Sequence, residues 1–240
     1  MDRKTRSIVL ILLVLSMLAP LCLGKESGAQ SLRDQERYTL SLELEFSKKN
    51  SNTLQKVVNF LNLGPNGYAT GFVVADGLAM TAYHVVSGEI SDYKKAALGF
   101  APSDQLHVRV YVNGCQAKVI KIDKEADLAL LEVCGSKRET RISSFQSTLN
   151  KDEKLLLIAR PHGDKILSRG TFYGSYHFNG LEYWSVKMSA RDGFSGSPVY
   201  NEKAELVGVM SGYDWAKKLA LISPGTRAQK LIEEYHSAKP

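Results

Sequence analysis

Three side chains of this 240-residue sequence, Ser195, His84 and Asp127, sit in surroundings suited to one kind of chemistry, the attack of an activated hydroxyl on a carbonyl carbon. That chemistry needs an imidazole to take the hydroxyl proton, a carboxylate to orient the imidazole, and backbone N–H groups to meet the oxyanion. Ser195 stands in Gly193-Phe194-Ser195-Gly196-Ser197-Pro198. Glycines on both sides permit a sharp, unhindered turn that exposes the hydroxyl and directs the N–H groups of Gly193 and Ser195 into one pocket. The plainer reading is an ordinary Gly/Ser turn between strands.

The string departs from the Gly-x-Ser-x-Gly elbow of α/β-hydrolases, because Ser197 stands where the second glycine belongs. Of five histidines, His84 has the most telling approach: Gly71-Phe72-Val73-Val74, a turn at Asp76-Gly77, then Leu78–Thr81. This reads as a β-hairpin that delivers His84 at a strand end. His107, His162, His177 and His236 lie in a strand-like stretch, after a proline, near a turn and on a terminal helix, where structural roles suffice. Asp127 heads the apolar run Leu128-Ala129-Leu130-Leu131, so its carboxylate can be buried at a strand edge. Asp123 and Glu125 compete with it but belong to the preceding turn, and Asp127 itself can be read as a turn-closing residue.

The elements that must hold these residues are short strands. Tyr38, Leu40, Leu42, Leu44 and Phe46 alternate with polar residues, the period of a half-buried strand. Further apolar segments follow at Val57–Leu63, Ala69–Val74, Leu78–Ala82, Val108–Val112, Gln116–Asp123, Asp127–Val133, Leu155–Ala159, Lys165–Gly174, Glu182–Met188, Pro198–Tyr200, Leu206–Ser211 and Leu219–Ile222. Turn signals such as Ala-Asp-Gly at 75–77 and Asn-Gly at 113–114 separate them. Such spacing predicts an all-β sandwich or barrel pair. Ala228, Leu231, Ile232 and Tyr235 give one apolar helical face after Ser223-Pro224, so a C-terminal helix is expected over 224–237.

Residues 1–24 carry a basic flank and an apolar run, Ser7–Gly24, the pattern of a signal peptide or an N-terminal membrane anchor. Cys22 there follows Leu21, where a lipid-attachment signal normally has a small residue. Residues 25–37 read as a linker, and 38–240 as the globular domain. Cys115 and Cys134 flank the two strands of a hairpin that turns at 124–126, nearly opposite each other. An exported chain favours a disulfide between them, two buried free thiols being the alternative. The net charge of +6 is mild and scattered, and residues 2–6 supply +2 of it, so no nucleic-acid partner is expected.

Gly71-Phe72-Val73-Val74, Thr81-Ala82-Tyr83-His84-Val85-Val86, Asp127-Leu128-Ala129-Leu130-Leu131 and Gly193-Phe194-Ser195-Gly196-Ser197-Pro198 occur in this order. Together they resemble the trypsin-like (chymotrypsin-fold) peptidases, especially HtrA-type and glutamyl-endopeptidase-like bacterial members. Leu156–Gly163, Gly170–Gly174 and Val207-Gly208-Val209-Met210-Ser211 extend the resemblance over about residues 55–235. It implies two antiparallel six-stranded β-barrels, the first over about 38–140 and the second over about 150–222, with the catalytic cleft between them. It implies a His84-Asp127-Ser195 triad and an oxyanion hole from Gly193 and Ser195. It further implies that Ser211 helps orient the aspartate, and that Ser189, Ala190, Arg191, Ser211, Gly212 and Tyr213 border the specificity pocket. Uncharged Ser189 at its base favours an uncharged residue before the cut.

Three departures bear on function. No Ile-Val-Gly-Gly-like activation terminus occurs, no PDZ domain follows, and Ser197 replaces the commoner glycine. A glutamate-reading histidine near Met210 is also missing, so no glutamate preference is expected. The expected activity is that of a serine endopeptidase working through an acyl-enzyme on protein or peptide substrates, exported, monomeric and tethered to a membrane if the anchor is kept. No metal or cofactor is expected. The alternative is a catalytically silent peptide-binding module on the same fold.

Overall fold

The computed structural model describes residues 32–49, 66–134, 142, 144–178 and 180–238. The N-terminal apolar segment, Cys22 and the expected Val57–Leu63 strand lie outside them. Among the described residues, twelve strands close into two antiparallel six-stranded barrels. The first barrel contains β1 (Thr39–Lys48), β2 (Gly67–Ala75), β3 (Leu78–Ala82), β4 (Leu106–Val112), β5 (Cys115–Asp123) and β6 (Leu128–Glu132), closing in the order β1-β2-β3-β6-β5-β4. The second contains β7 (Lys154–Ala159), β8 (Ile166–Phe178), β9 (Leu181–Lys187), β10 (Pro198–Asn201), β11 (Leu206–Asp214) and β12 (Leu219–Pro224), in the order β10-β11-β12-β9-β8-β7.

Alternation explains which strands show a clear period in sequence. In β1, Leu40, Leu42 and Leu44 point into the first barrel, while Glu43 and Glu45 stay partly exposed. Strand β6 has no polar alternation because both its faces are covered. Leu131 joins the first barrel's interior, whereas Leu128 and Leu130 join a second cluster between the barrels. That cluster also takes Phe72 and Met80 from the first barrel and Ile158, Tyr200 and Val209 from the second. Asp127 therefore heads a strand wedged at the junction of the two barrels.

Helix α3 (Gly225–Ser237) packs Ala228 and Leu231 into the same inter-barrel cluster, with Ile232 and Tyr235 alongside. Arg227 on its first turn holds Asp123 at 3.0 Å, and the Asp123 carboxylate also accepts the Ala126 N–H. The helix thus ties down the turn that leads into Asp127. Cys115 and Cys134 are joined by a disulfide across β5 and β6, their Cα atoms 6.2 Å apart.

The expected linker is helical over its described part, residues 32–37, and the helix runs on through Tyr38, which was expected to open the first strand. Gln35 there is buried and accepts a hydrogen bond from Tyr200 Oη, and the Glu36 carbonyl accepts one from Arg160. Lys165 pairs with the Glu36 carboxylate at 2.6 Å. A polar stretch lacking an apolar period is held here by hydrogen bonds to the second barrel instead of by a buried stripe.

Candidate active site

His84 lies two residues past the end of β3, as the second residue of a short helix, α1 (Tyr83–Ser87), rather than on the strand end itself. The position follows from the backbone. Ala82 at the N-cap offers no side-chain acceptor, so the first N–H groups of α1 need partners from elsewhere. Asp127 supplies both. Its carbonyl accepts the Tyr83 N–H at 3.0 Å and its Oδ1 accepts the His84 N–H at 2.8 Å. The other carboxylate oxygen, Oδ2, lies 2.8 Å from His84 Nδ1. One buried aspartate therefore caps the helix and orients the ring it carries.

Two further features fix Asp127. Its backbone is left-handed, with φ of 51°, and its N–H closes the turn on the Lys124 carbonyl. Ser211 Oγ donates to the Oδ2 that faces His84. Ser211 can do so because β11 is irregular: Met210 pairs with Ile222 and Gly212 with Leu221, leaving Ser211 as an extra residue. Such bulges redirect a side chain off the sheet's regular alternation. Tyr183 on β9 is buried beside the pair; burial first, and then the Asp127 charge, push its phenol up, while a hydrogen bond with Ser211 opposes them. Asp123 and Glu125, the competing acids, are both engaged by Arg227.

Ser195 comes from the second barrel, on the loop before β10. Gly193 and Gly196 flank it with φ of 86° and 81°, the conformations that the glycine positions in sequence suggested. Among the described residues, no protein acceptor takes the N–H of Gly193 or of Ser195. Ser195 and His84 line one cleft cavity of about 440 Å³. No direct hydrogen bond joins their side chains among the described residues; such contacts commonly tighten only in the substrate complex.

Ala190, Arg191, Ser211, Gly212 and Tyr213 line the same cavity. Ser189 does not. Two residues past β9 it is exposed, and its carbonyl accepts a hydrogen bond from the Ser168 hydroxyl at 2.8 Å. The sequence reading also missed one wall. Ile90 and Leu98, which flank helix α2 (Asp92–Ala97), line the cleft, and Trp215 lines it while 72% exposed. Lys94 of α2 reaches Asp192 of the nucleophile loop at 3.6 Å, an ion pair between the barrels. Among the described residues, no group of three His, Cys, Asp or Glu side chains is placed to hold a metal ion.

The chain is similar to known proteins in sequence and in fold. A family model described as the trypsin-like peptidase domain matches residues 69–209, a span that holds His84, Asp127 and Ser195. A probable periplasmic serine endoprotease, DegP-like, of Pseudomonas putida is 28% identical over 149 residues, covering 59% of this chain and 28% of that protein. The chain thus spans little more than a quarter of that relative's length. The active form of the Rv3671c protease of M. tuberculosis superposes with a TM-score of 0.60 at 14% identity, covering 88% of this chain and 86% of that one. An inactive form of the same protease gives 0.58 at 14% identity, covering 88% and 95%. These structural likenesses concern the fold.

Proposed function

We propose, from the premise that this chain belongs to the trypsin-like peptidase domain family and is a serine peptidase, that His84, Asp127 and Ser195 are its catalytic triad. His84 takes the proton of Ser195 Oγ as that oxygen attacks a peptide carbonyl. The N–H groups of Gly193 and Ser195 hold the oxyanion, and His84 then gives its proton to the leaving amine. Water, deprotonated by the same imidazole, releases the acyl group. Asp127 keeps His84 in the tautomer with Nδ1 protonated and stabilises the imidazolium between these steps.

One observation carries this reading. The Asp127 carboxylate grips both the backbone N–H and Nδ1 of His84, each at 2.8 Å, at the edge of the cavity that Ser195 lines. A fixed imidazole with its far nitrogen free toward a serine is what acyl transfer requires. Substrates are proteins or peptides. Ala190 and Met210 line the cavity, while of the charges that also line it Asp192 is paired with Lys94 and Arg191 lies over the Phe194 ring, so an uncharged side chain before the cut suits it best. The chain works outside the cytoplasm: residues 1–24 carry an export signal, the disulfide suits an oxidising compartment, and the DegP-like relative bears a periplasmic name.

Hydrolysis of an unfolded protein and of a fluorogenic peptide library tests the proposal. Ser195→Ala is expected to lower turnover by roughly 10⁴–10⁶-fold. Undiminished hydrolysis in that variant refutes the triad. A folded wild type that binds peptides and cleaves none supports the silent binding module instead.

A further inference from the structure

Thr70, on β2, is fully buried and makes four hydrogen bonds, three of them to segments of the second barrel. Its hydroxyl donates to the Gly193 carbonyl at 2.8 Å and accepts the Arg160 N–H at 3.0 Å. Its own N–H donates to the Ser195 carbonyl at 3.0 Å. Its carbonyl accepts the Thr81 hydroxyl at 2.8 Å, which holds the residue against β3. The first barrel thus touches the nucleophile loop at the two carbonyls on either side of Phe194.

The consequence lies in the peptide planes. The plane between Gly193 and Phe194 is held at its carbonyl by Thr70 and at its N–H by the Arg191 carbonyl, 3.2 Å away. The plane between Ser195 and Gly196 is held at its carbonyl by Thr70 and at its N–H by the Met210 carbonyl, 2.8 Å away. Between these two lies the plane that carries the Ser195 N–H. With both neighbours fixed and its own Phe194 carbonyl accepting the Ser197 N–H at 3.0 Å, its direction is set, and its N–H, which meets no protein acceptor among the described residues, is left to face the cleft. The Phe194-to-Arg191 bond also closes a turn with Gly193 at its third position and φ of 86°, as in a type II turn. That turn carries the Gly193 N–H and is anchored where the Thr70 hydroxyl meets it.

We infer that Thr70 is a positioning residue of the oxyanion hole, its hydroxyl and N–H holding the 193–196 loop with the Gly193 and Ser195 N–H groups turned to the cleft. This rests on the triad reading above. Threonine can play the part because it presents a donor and an acceptor at one oxygen. Valine has the same shape and neither, so Thr70→Val leaves the half-buried Gly193 carbonyl and Arg160 N–H without their partner.

The test compares wild type, Thr70→Val and Thr70→Ser on one fluorogenic peptide and on a matching peptide aldehyde. The aldehyde forms a hemiacetal with Ser195 whose oxygen needs the same N–H groups as the transition state. In Thr70→Val, kcat is expected to fall about 10–100-fold, below the cost of deleting an oxyanion donor outright. KM should stay within about twofold, and the aldehyde inhibition constant should rise by the same factor as kcat falls. Thr70→Ser, which keeps the hydroxyl, should recover kcat and aldehyde binding to within about threefold of wild type. A hydroxyl that served only the fold would lower the melting temperature and leave kcat and aldehyde affinity together unchanged, and that result overturns the inference. If the valine protein does not fold, Thr70→Ala is read by the same criteria. A wild type inert toward substrate and aldehyde overturns the triad reading itself, whereas an active wild type matched by Thr70→Val overturns the role of Thr70 alone.

Discussion

Replacing Gly196 by alanine adds one carbon at the tightest corner of the nucleophile loop. That carbon would lie 2.1 Å from Thr81 Oγ1, 2.2 Å from the Thr70 carbonyl oxygen and 3.0 Å from the Ala82 nitrogen. Two of these are backbone atoms of β2 and β3, so the loop and the first barrel must separate. The backbone conformation, φ of 81°, adds a separate cost of about 1–2 kcal/mol for any residue with a Cβ. Overpacking of this kind costs about 1–3 kcal/mol more, giving about 2–5 kcal/mol together. Gly77→Ala supplies the control, because Gly77 has φ of 72° and nothing within 4 Å of the added carbon. It should lose only the backbone part, about 1–2 kcal/mol, and the unfolded-state effect of adding a methyl is common to both variants. Urea unfolding of the two proteins should therefore differ by about 1–3 kcal/mol, with Gly196→Ala the weaker. It should also lose peptidase activity, since the displaced Thr70 holds the Ser195 carbonyl. Equal stability losses in the two variants would refute the claim that the barrels meet closely at this loop.

Asp127→Asn keeps the shape of the side chain but loses the charge that selects the His84 tautomer; kcat should drop roughly 10⁴-fold in steady-state hydrolysis while the protein remains folded. The pair Cys115→Ser and Cys134→Ser opens a cross-link spanning 19 residues, and should cost about 2–3 kcal/mol in urea unfolding without changing kcat, because neither residue lines the cleft. The hydrogen bond from Lys48, and then that from the Ala101 N–H, hold the Asp104 carboxyl below the ordinary carboxylate value of 3.8. Its contribution is therefore complete above that value and is lost as the pH falls through the lower folded one. Amide exchange at Ala101 should quicken over that acidic range in the wild type, and Asp104→Asn should show no such step.

How much was legible in the sequence followed from how each element is stabilised. Strands with one face in a barrel and one in solvent, such as β1, announce themselves by alternation. The wedge strand β6 reads as an unbroken apolar run because both its faces are buried, and that run was what marked Asp127 as a carboxylate at a covered edge. Helix α2 was missed for the opposite reason. None of its residues is buried, and it starts on a Ser91 side chain that accepts the Lys94 N–H, so no apolar period exists to find. Ser91 three residues before that donor was the one available signal. The short helix under His84 is similarly silent, since its cap comes from Asp127, 43 residues away. Ser189 was placed by resemblance alone; it stands exposed two residues past β9 and is not among the residues lining the cavity. Thr70 reads in sequence as one more β-branched residue of a strand. Its significance lies in contacts with residues 90 and 123 positions away, which no local pattern encodes.

The central claim is that Ser195 is a nucleophile activated by His84, and a fluorophosphonate reagent tests it most directly. The protein from about Lys25 onward is treated alongside Ser195→Ala and His84→Ala, and each is read by intact mass. The account predicts a single adduct on the wild type, none on Ser195→Ala, and labelling slowed by orders of magnitude on His84→Ala. A folded wild type that takes no adduct, or an adduct that persists in Ser195→Ala, would contradict it.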